Sequence, residues 1–458
     1  MSDTLTSLPL EPELDERARR LAAGLEARGV GAGDRVAVWL PNVQAWLELE
    51  LALARLGAIA VAVNTRFRAR EAQDVVDRSG ARLLVHAPAC ERVDAERVEL
   101  GPAYEALLDH PPLEDDRADP DAACNVFTSS GTTGLPKLVV HRQGGIVAHS
   151  RAVADAFGYR ADDAVVLAML PLCGVFGFNT ALGALAGGAR LVLLEEFDAD
   201  AAVRLIDRER VTHTNGSLEM LRRVLAAGDV PSLREAGFAA FSGDARALVD
   251  AGDRLGKRFY QCYGSSEVQA LMAHAPAAAP AAARALAGGP PVSGAIAVRV
   301  SDEGELEVRG PHVLAGYLGD EVPDVTDDGF FRTGDIAEAD AERGFVYVAR
   351  AGDALRLGGY LVSPREIEAF LEEQPGVQAA QVVGVEADGQ TRAVAFAVGD
   401  FAEDAVLERC RAELARFKVP RRVLALDAFP TTPSANGERV RRGELRRLGA
   451  EALGADVA

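Results

Sequence analysis

Apolar residues at positions 14, 18, 21, 22 and 25 recur with helical spacing and predict an amphipathic helix over 14–28. Gly29 to Asp34 breaks it, and Val36, Val38 and Leu40 alternate as a short strand ended by Pro41-Asn42. A helix over 43–56, stopped by Gly57, leads to a continuously apolar strand over 58–63. A helix over 70–78 and a strand over 83–85 follow. This alternation predicts a βαβ series with a parallel sheet covered on both faces.

The rhythm resumes with helices over 144–157, 178–186, 200–208, 217–226 and 245–254, interleaved with strands over 164–168, 190–194, 211–214, 238–241 and 258–262. This is a second α/β layer system. Pro276 to Pro291, rich in Ala and Pro, reads as an irregular connection. Short strands over 295–300, 305–309 and 345–349 then predict a small β-rich, barrel-like unit. From Gly352 onward the pattern is small α+β: a short strand pair, a helix over 364–373, strands over 379–384 and 393–397, a helix over 403–416, and a tail. The expected fold is therefore α/β, with a large N-terminal domain over 1–351 and a small C-terminal cap over 352–458. No internal repeat and no carrier domain are visible.

Composition narrows the function classes. The 458 residues carry a net charge of −20, which argues against nucleic acid or an anionic membrane as a bulk partner. The first twenty residues are acidic and lack the apolar stretch of a signal peptide, and no run of about 18 apolar residues predicts a membrane span. Five cysteines without CxxC spacing suit isolated thiols in a reducing cytoplasm. Lysine is scarce: Lys137, Lys257 and Lys418 are the three among 49 Lys and Arg.

The strongest local signal is Thr128-Ser129-Ser130-Gly131-Thr132-Thr133-Gly134-Leu135-Pro136-Lys137, a polar hairpin joining two buried apolar strands, Val126-Phe127 before it and Leu138 to Val140 after it. Glycines let backbone N–H groups turn toward an anion, hydroxyls add donors, and Lys137 adds charge, a set suited to a polyphosphate. A P-loop would need Gly-Lys-Ser/Thr opening a helix; here Pro136 precedes the lysine and Leu138 follows it. The order resembles the phosphate-binding signature of the adenylate-forming superfamily, which includes acyl- and aryl-CoA synthetases, peptide-synthetase adenylation domains and beetle luciferases.

Further segments carry the same resemblance in the same order. Tyr263-Gly264-Ser265-Ser266-Glu267 is similar to Y-G-x-T-E, with Ser266 in the threonine's place. The resemblance implies Tyr263 beside adenine, the Ser266 hydroxyl on the α-phosphate and Glu267 holding Mg²⁺. Ser242-Gly243-Asp244-Ala245 resembles the small-residue segment against the adenine plane. Arg332-Thr333-Gly334-Asp335 and Arg350 resemble the segments that hold the ribose hydroxyls, for which a carboxylate is the natural acceptor. Gly358-Gly359 and the following Pro364-Arg365-Glu366-Ile367-Glu368 resemble the opening of the small domain, the glycines bordering the pantetheine channel. Gly352 matches the hinge position, usually Asp or Lys, where glycine absorbs rotation at low cost.

Two departures stand out. In the terminal segment, aligned on Val440 and Leu445, Arg439 occupies the position of the catalytic lysine, and no lysine follows Lys418. Arginine keeps the charge but spreads it over a planar fork. In Leu170-Pro171-Leu172-Cys173-Gly174, Gly174 replaces the histidine of P-L-F-H-x-x-G. Cys173, Gly174, Val175, Phe176, Phe178, Asn215, Gly216 and Val268 are candidate walls of the acid pocket by position. None carries a charge that would demand a charged substrate tail.

The resemblance implies a ligase that joins a carboxylic acid to ATP, releases pyrophosphate, and passes the acyl group from its adenylate to coenzyme A. Thr128 to Gly134 with Lys137 would hold phosphates, and Arg439 would stabilise charge at the reacting centre. Homodimers are common in that superfamily. Two other readings stay open here: a ligase with an amine, a carrier-protein thiol or an inorganic oxyacid in place of the usual second substrate, and a nucleotide-binding pseudoenzyme.

Overall fold

The computed structural model describes residues 3–129, 136–240, 245–340, 342, 344–353, 355–357, 360–362, 364–387, 390–414, 416–434 and 437–454. Its first sheet runs in the order Gly316–Tyr317, Leu138–Arg142, Ala123–Thr128, Ile59–Ala62, Arg35–Trp39, Leu83–His86, Arg97–Glu99. The last five are parallel, as the βαβ alternation requires. At the other edge the sheet turns antiparallel, where the polar stretch before Leu138 was expected to be a hairpin. Ala123–Thr128 turns straight back into Leu138–Arg142, and Gly316–Tyr317 adds to that strand antiparallel. The short connection between the first two is too brief for a crossover, so a hairpin is the geometry open to it.

The second sheet runs Ala273–His274, Arg258–Tyr263, Glu235–Ala239, His213–Ser217, Val165–Ala168, Arg190–Leu193, parallel except at its first member. One apolar core is continuous between the two sheets, with Leu40, Trp46, Phe127, Phe178 and Tyr260 among its members. Every residue of helix Val175–Gly187 from Val175 to Ala186 is buried, which fits an element apolar on all sides and enclosed on all sides. It lies against helix Gln143–Ala156 so closely that a Cβ on Gly183 would sit 2.6 Å from Val153 Cγ1. Helix Gln44–Leu56 is also enclosed and carries Glu50 into the core, where burial pushes its carboxyl up to about 8 while Asn125 Nδ2 donates to it at 2.8 Å.

The β-rich unit is an antiparallel sheet in the order Gly288–Gly289, Gly344–Arg350, Phe331–Asp340, Glu305–Arg309, Ala297–Val300. The connection over 276–291 is less irregular than its composition predicts. It contains the one-turn helix Ala281–Arg284, and Arg284, 2% exposed, bonds Phe259 O at 2.8 Å and Asp253 at 2.6 Å.

Beyond Gly352 the chain builds its own core around Ile367, Leu371, Val382, Ala395 and Cys410. The hairpin Leu355–Leu357 with Tyr360–Val362 precedes helix Pro364–Glu372, and strands Val377–Ala387 and Gln390–Gly399 are longer than their apolar centres predict. Helix Glu403–Glu413 and strand Val423–Ala425 follow. The unassigned tail is a hairpin, Thr431–Ser434 with Gly437–Val440, and a helix, Arg442–Leu453. That helix reaches back to the start of the unit: Arg446 Nη2 donates to Gly352 O at 2.5 Å and pairs with Asp353. Gly352 itself does not have a positive φ, and a Cβ there would meet nothing within 4 Å.

Candidate active site

The two strands of the polar hairpin pair up to Thr128 and Leu138, and Ser129 and Lys137 close its neck. Ser129 N donates to Lys137 O at 2.9 Å, and Lys137 N to Ser129 Oγ at 3.2 Å. Ser130, Gly131, Thr132, Thr133 and Gly134 lie outside the described residues, as do Gly243, Asp244, Gly358 and Gly359. Lys137 Nζ sits 4.8 Å over the Tyr317 ring and 2.7 Å from a Glu321 carboxylate oxygen. Tyr317 is there because its strand adds to Leu138–Arg142, so the hairpin brings its own aromatic neighbour.

Tyr317 Oη in turn approaches Glu267 Oε1 at 3.5 Å. Burial, then the charges of Glu267 and Glu321, hold its phenol above the ordinary range. Glu267 and Ser266 are half-buried, and Ser265 Oγ donates to Glu267 Oε2 at 3.0 Å. The loop that carries them leaves strand Arg258–Tyr263 and folds back on itself: Met272 N donates to Tyr263 O at 2.9 Å. A Cβ on Gly264 would fall 2.3 Å from Gln269 O, so the close approach of two backbones requires glycine there.

Tyr263 links this loop to the third sheet. Its ring packs edge-on against Phe345, 5.1 Å between centroids, and beside Tyr347, and its hydroxyl donates to Asp335 Oδ2 at 2.6 Å. Burial, then the Asp335 charge, hold the Tyr263 phenol well above its ordinary value. Asp335 faces Arg350 across the sheet, and Arg350 Nη1 donates to Asp335 Oδ1 at 2.9 Å and to Thr333 O at 2.8 Å. Burial opposes the Arg350 charge, but Asp335 overcomes it and holds the guanidinium above its ordinary value. Gly334, at φ +70°, makes the turn that lets Asp335 point inward.

Lys137, Tyr317 and Glu267 thus form one run of contacts and Tyr263, Asp335 and Arg350 another, drawn from all three sheets and joined along the backbone from Tyr263 to Glu267. The two ends suit two ends of one ligand: a cation beside the hydroxyl-rich hairpin for phosphate, and a carboxylate with an arginine for a diol. Glu267 lies between them. Among the described residues no three His, Cys, Asp or Glu side chains converge on one point. A divalent cation at Glu267 would therefore complete its shell with phosphate oxygens and water, which is how Mg²⁺ is commonly bound.

The other candidates are spread more widely. Thr128 ends its strand, and Ala245 opens helix Ala245–Arg254. Cys173 and Gly174 lead into helix Val175–Gly187, with Gly174 as its N-cap and Val175 and Phe176 in its first turn. Gly216 packs on Met169 and Val268 is fully buried beside Tyr263. Phe178 is engaged between Trp46 and Phe127, at 5.6 and 5.0 Å. Asn215 Nδ2 donates to Tyr159 Oη and Thr180 Oγ1, and its Oδ1 accepts from Gly237 N. Both side chains are committed to the core rather than to a free face. Arg439 lies on strand Gly437–Val440, opposite Thr432.

Sequence reasoning did not single out Tyr317, Glu321, Tyr347 or His141. An aromatic residue after Gly316 was the one signal for Tyr317, and an isolated Gly-Tyr pair is too common to use.

The family model for "AMP-binding enzyme" matches residues 12–318, and that for "AMP-binding enzyme C-terminal domain" matches residues 366–436. Feruloyl-CoA synthase of an Amycolatopsis species is 32% identical over 466 residues, covering 95% of this chain and 93% of that protein. Long-chain-fatty-acid–CoA ligase FadD13 of Mycobacterium tuberculosis is 29% identical over 465 residues, covering 92% and 90%. The crystal structure of ATP-bound MatB from Rhodopseudomonas palustris superimposes with a TM-score of 0.83 at 25% identity, over 96% of this chain and 93% of that one.

Proposed function

Because the chain belongs to the AMP-binding enzyme family, within the adenylate-forming superfamily, we propose that it is an ATP-dependent acid–CoA ligase working along the line from Lys137 to Arg350. The observation that carries this reading is the continuity of that line. A phosphate-suited hairpin reaches Glu267 through Tyr317, a ribose-suited carboxylate is bonded by Tyr263, and the four-residue step from Tyr263 to Glu267 along one loop joins the two.

In the first half-reaction a carboxylate oxygen attacks the α-phosphorus of ATP. The bond from that phosphorus to the bridging oxygen breaks and pyrophosphate leaves. Lys137 and the hairpin hydroxyls and amides stabilise phosphate charge, which in a partly water-excluded site is the principal lever on the rate. Ser266 steadies the α-phosphate, and Asp335 with Arg350 fixes the ribose so that the α-phosphorus is held still. A Mg²⁺ ion bound at Glu267 would offset charge on the phosphates and on the leaving pyrophosphate. Arg439, brought in by the C-terminal unit, supplies a cation at the reacting centre. In the second half-reaction the CoA sulfur, having lost its proton, attacks the acyl carbon and AMP leaves. The Gly358-Gly359 segment borders the path of the thiol, with the cap turning about Gly352.

None of the candidate pocket walls Cys173, Gly174, Val175, Phe176, Phe178, Asn215, Gly216 and Val268 carries a charge that would demand a charged tail on the acid. Among the described residues no helix is long and apolar enough to cross a membrane. A cytoplasmic homodimer belongs to the same proposal and is tested by fractionation and light scattering.

A screen of fatty, aryl and small acids for pyrophosphate release, followed by CoA-dependent AMP release, tests the whole reading. AMP release at the same rate without CoA would replace CoA with another acceptor. Gly174 and Arg439 favour one rival, a nucleotide-binding protein without ligase activity. That rival predicts ATP binding without acid-dependent pyrophosphate exchange, and exchange with any acid rejects it.

A further inference from the structure

The loop that carries Ser266 and Glu267 is unusual in its backbone. Gln269 and Leu271 both have positive φ, 61° and 64°, although neither is glycine. Such conformations cost on the order of 1 kcal/mol or more each and persist where the surroundings over-determine them. Here the surroundings are a buried polar cluster. His141 Nε2 lies 2.8 Å from Ser266 O, and His149 Nε2 lies 2.7 Å from Ala270 O. A carbonyl oxygen accepts, so in both rings Nε2 carries the hydrogen and donates. Asn179 Nδ2 donates to Ala270 O and to Gln269 Oε1, each at 3.0 Å. Leu314 N donates to Glu267 O at 2.8 Å.

The carbonyls of residues 266, 267 and 270 are thus held by donors from four separate segments. The rings themselves are held. His141 meets Phe127 edge-on at 6.1 Å, and His149 stacks on His312 at 5.6 Å and 18°. His141, 1% exposed, lies on the strand that begins one residue after Lys137. One rigid strut therefore ties the phosphate hairpin to the carboxylate at Glu267.

We propose that His141 is a positioning residue for adenylation: by holding Ser266 O it sets the placement of Ser266 and Glu267 relative to Lys137, with His149 and Asn179 fixing the far end of the same loop. The proposal rests on the reading of Glu267 as the carboxylate that binds magnesium with ATP. Without the His141 donor the part-buried Ser266 carbonyl loses its partner, and the loop can relax toward water. Displacements of about 1 Å in such a site cost roughly 10² in rate.

The test uses the full-length enzyme and the pair His141→Phe and His141→Gln. Phenylalanine keeps the flat ring against Phe127 and removes the donor; glutamine restores an N–H donor at similar reach. Nucleotide affinity is measured by calorimetry with ATP and magnesium, and with ATP in chelator. Pyrophosphate exchange is measured with the best acid from the screen. The expected result is that His141→Phe weakens MgATP binding about tenfold and slows exchange further, leaves affinity for metal-free ATP within about twofold, and is largely rescued in His141→Gln.

Loss of both affinities alike, or equal impairment in Phe and Gln variants, would mark His141 as merely structural and overturn the proposal. So would a His141→Phe enzyme indistinguishable from wild type. If His141→Phe does not fold, His149→Phe and His149→Gln are read the same way. A wild type that fails to bind MgATP removes the ligase reading and this proposal together; a wild type that binds it while the variants match it removes the proposal alone.

Discussion

Replacing Gly264 with alanine tests how tightly the nucleotide loop is built. The added Cβ would lie 2.3 Å from Gln269 O and 2.6 Å from Ala270 Cα, all backbone atoms that no rotamer change can move aside. An ordinary carbon–oxygen contact is about 3.3 Å, so the neck of the loop must open by about 1 Å. That neck is also closed by the bond from Met272 N to Tyr263 O at 2.9 Å, and Ser266 and Glu267 ride on it. Overpacking of this kind costs about 1–3 kcal/mol of stability. A shift of about 1 Å at the reacting groups costs about 10² in rate. Gly264→Ala should therefore slow acid-dependent ATP–pyrophosphate exchange by about two orders of magnitude while lowering the melting temperature by only a few degrees. Gly31→Ala is the control, since a Cβ there meets nothing within 4 Å and its φ is not positive. Exchange within twofold of wild type in Gly264→Ala, with unchanged melting, would refute the argument that backbone contact at this neck places the reacting groups.

Asp335→Asn should weaken MgATP binding by about 10- to 100-fold, the size of a lost hydrogen bond to a charged group. Wild-type preference for ATP over 2′-deoxy-ATP should shrink in the same variant; an unchanged preference would take Asp335 off the ribose. Glu50 has its folded value pushed up to about 8 by burial, above its ordinary 4.5. The unfolded chain ionises first, so this group's contribution is intact below about pH 4.5 and is lost as pH rises toward 8. Denaturant titrations of wild type and Glu50→Gln should therefore diverge by about 1.4 kcal/mol per pH unit between pH 5 and 7, the glutamine variant gaining; parallel curves would contradict a neutral buried carboxyl. Burial also pushes the thiols of Cys124, Cys173 and Cys262 up. Alkylation of the native protein followed by mass spectrometry should label half-buried Cys90 before any of these three; early labelling of Cys262 would show that strand Arg258–Tyr263 opens readily.

Much of this protein was legible in local chemistry. The alternation of apolar segments predicted the long helices and the central strands of the first two sheets within a few residues, but not the short edge strands Arg97–Glu99, Ala273–His274 and Gly316–Tyr317, because period and turn residues are properties of neighbouring positions and two or three residues carry no period. The Ser/Thr/Gly hairpin was readable because a backbone that turns toward an anion needs small residues, whereas the close backbone approach at Gly264 and the turn at Gly334 emerged only with the fold.

What the chain pattern could not reveal was who meets whom. His141 reaches Ser266 across 125 positions, and Tyr317 reaches Glu267 across 50. Neither residue carries a local pattern that announces its partner. Arg284, in a stretch whose composition reads as loose, became a buried clasp only because Asp253 and Phe259 converge on it. Phe178 and Asn215, candidate pocket walls by position, meet Trp46 and Phe127, and Tyr159 and Thr180, partners no local pattern names. Local pattern specified most helices and strands and flagged candidate polar side chains at their ends; the meeting of Lys137 with Tyr317 and of Tyr263 and Arg350 with Asp335 came from the packing of distant segments, because how sheets pair and cores close is encoded in no periodicity.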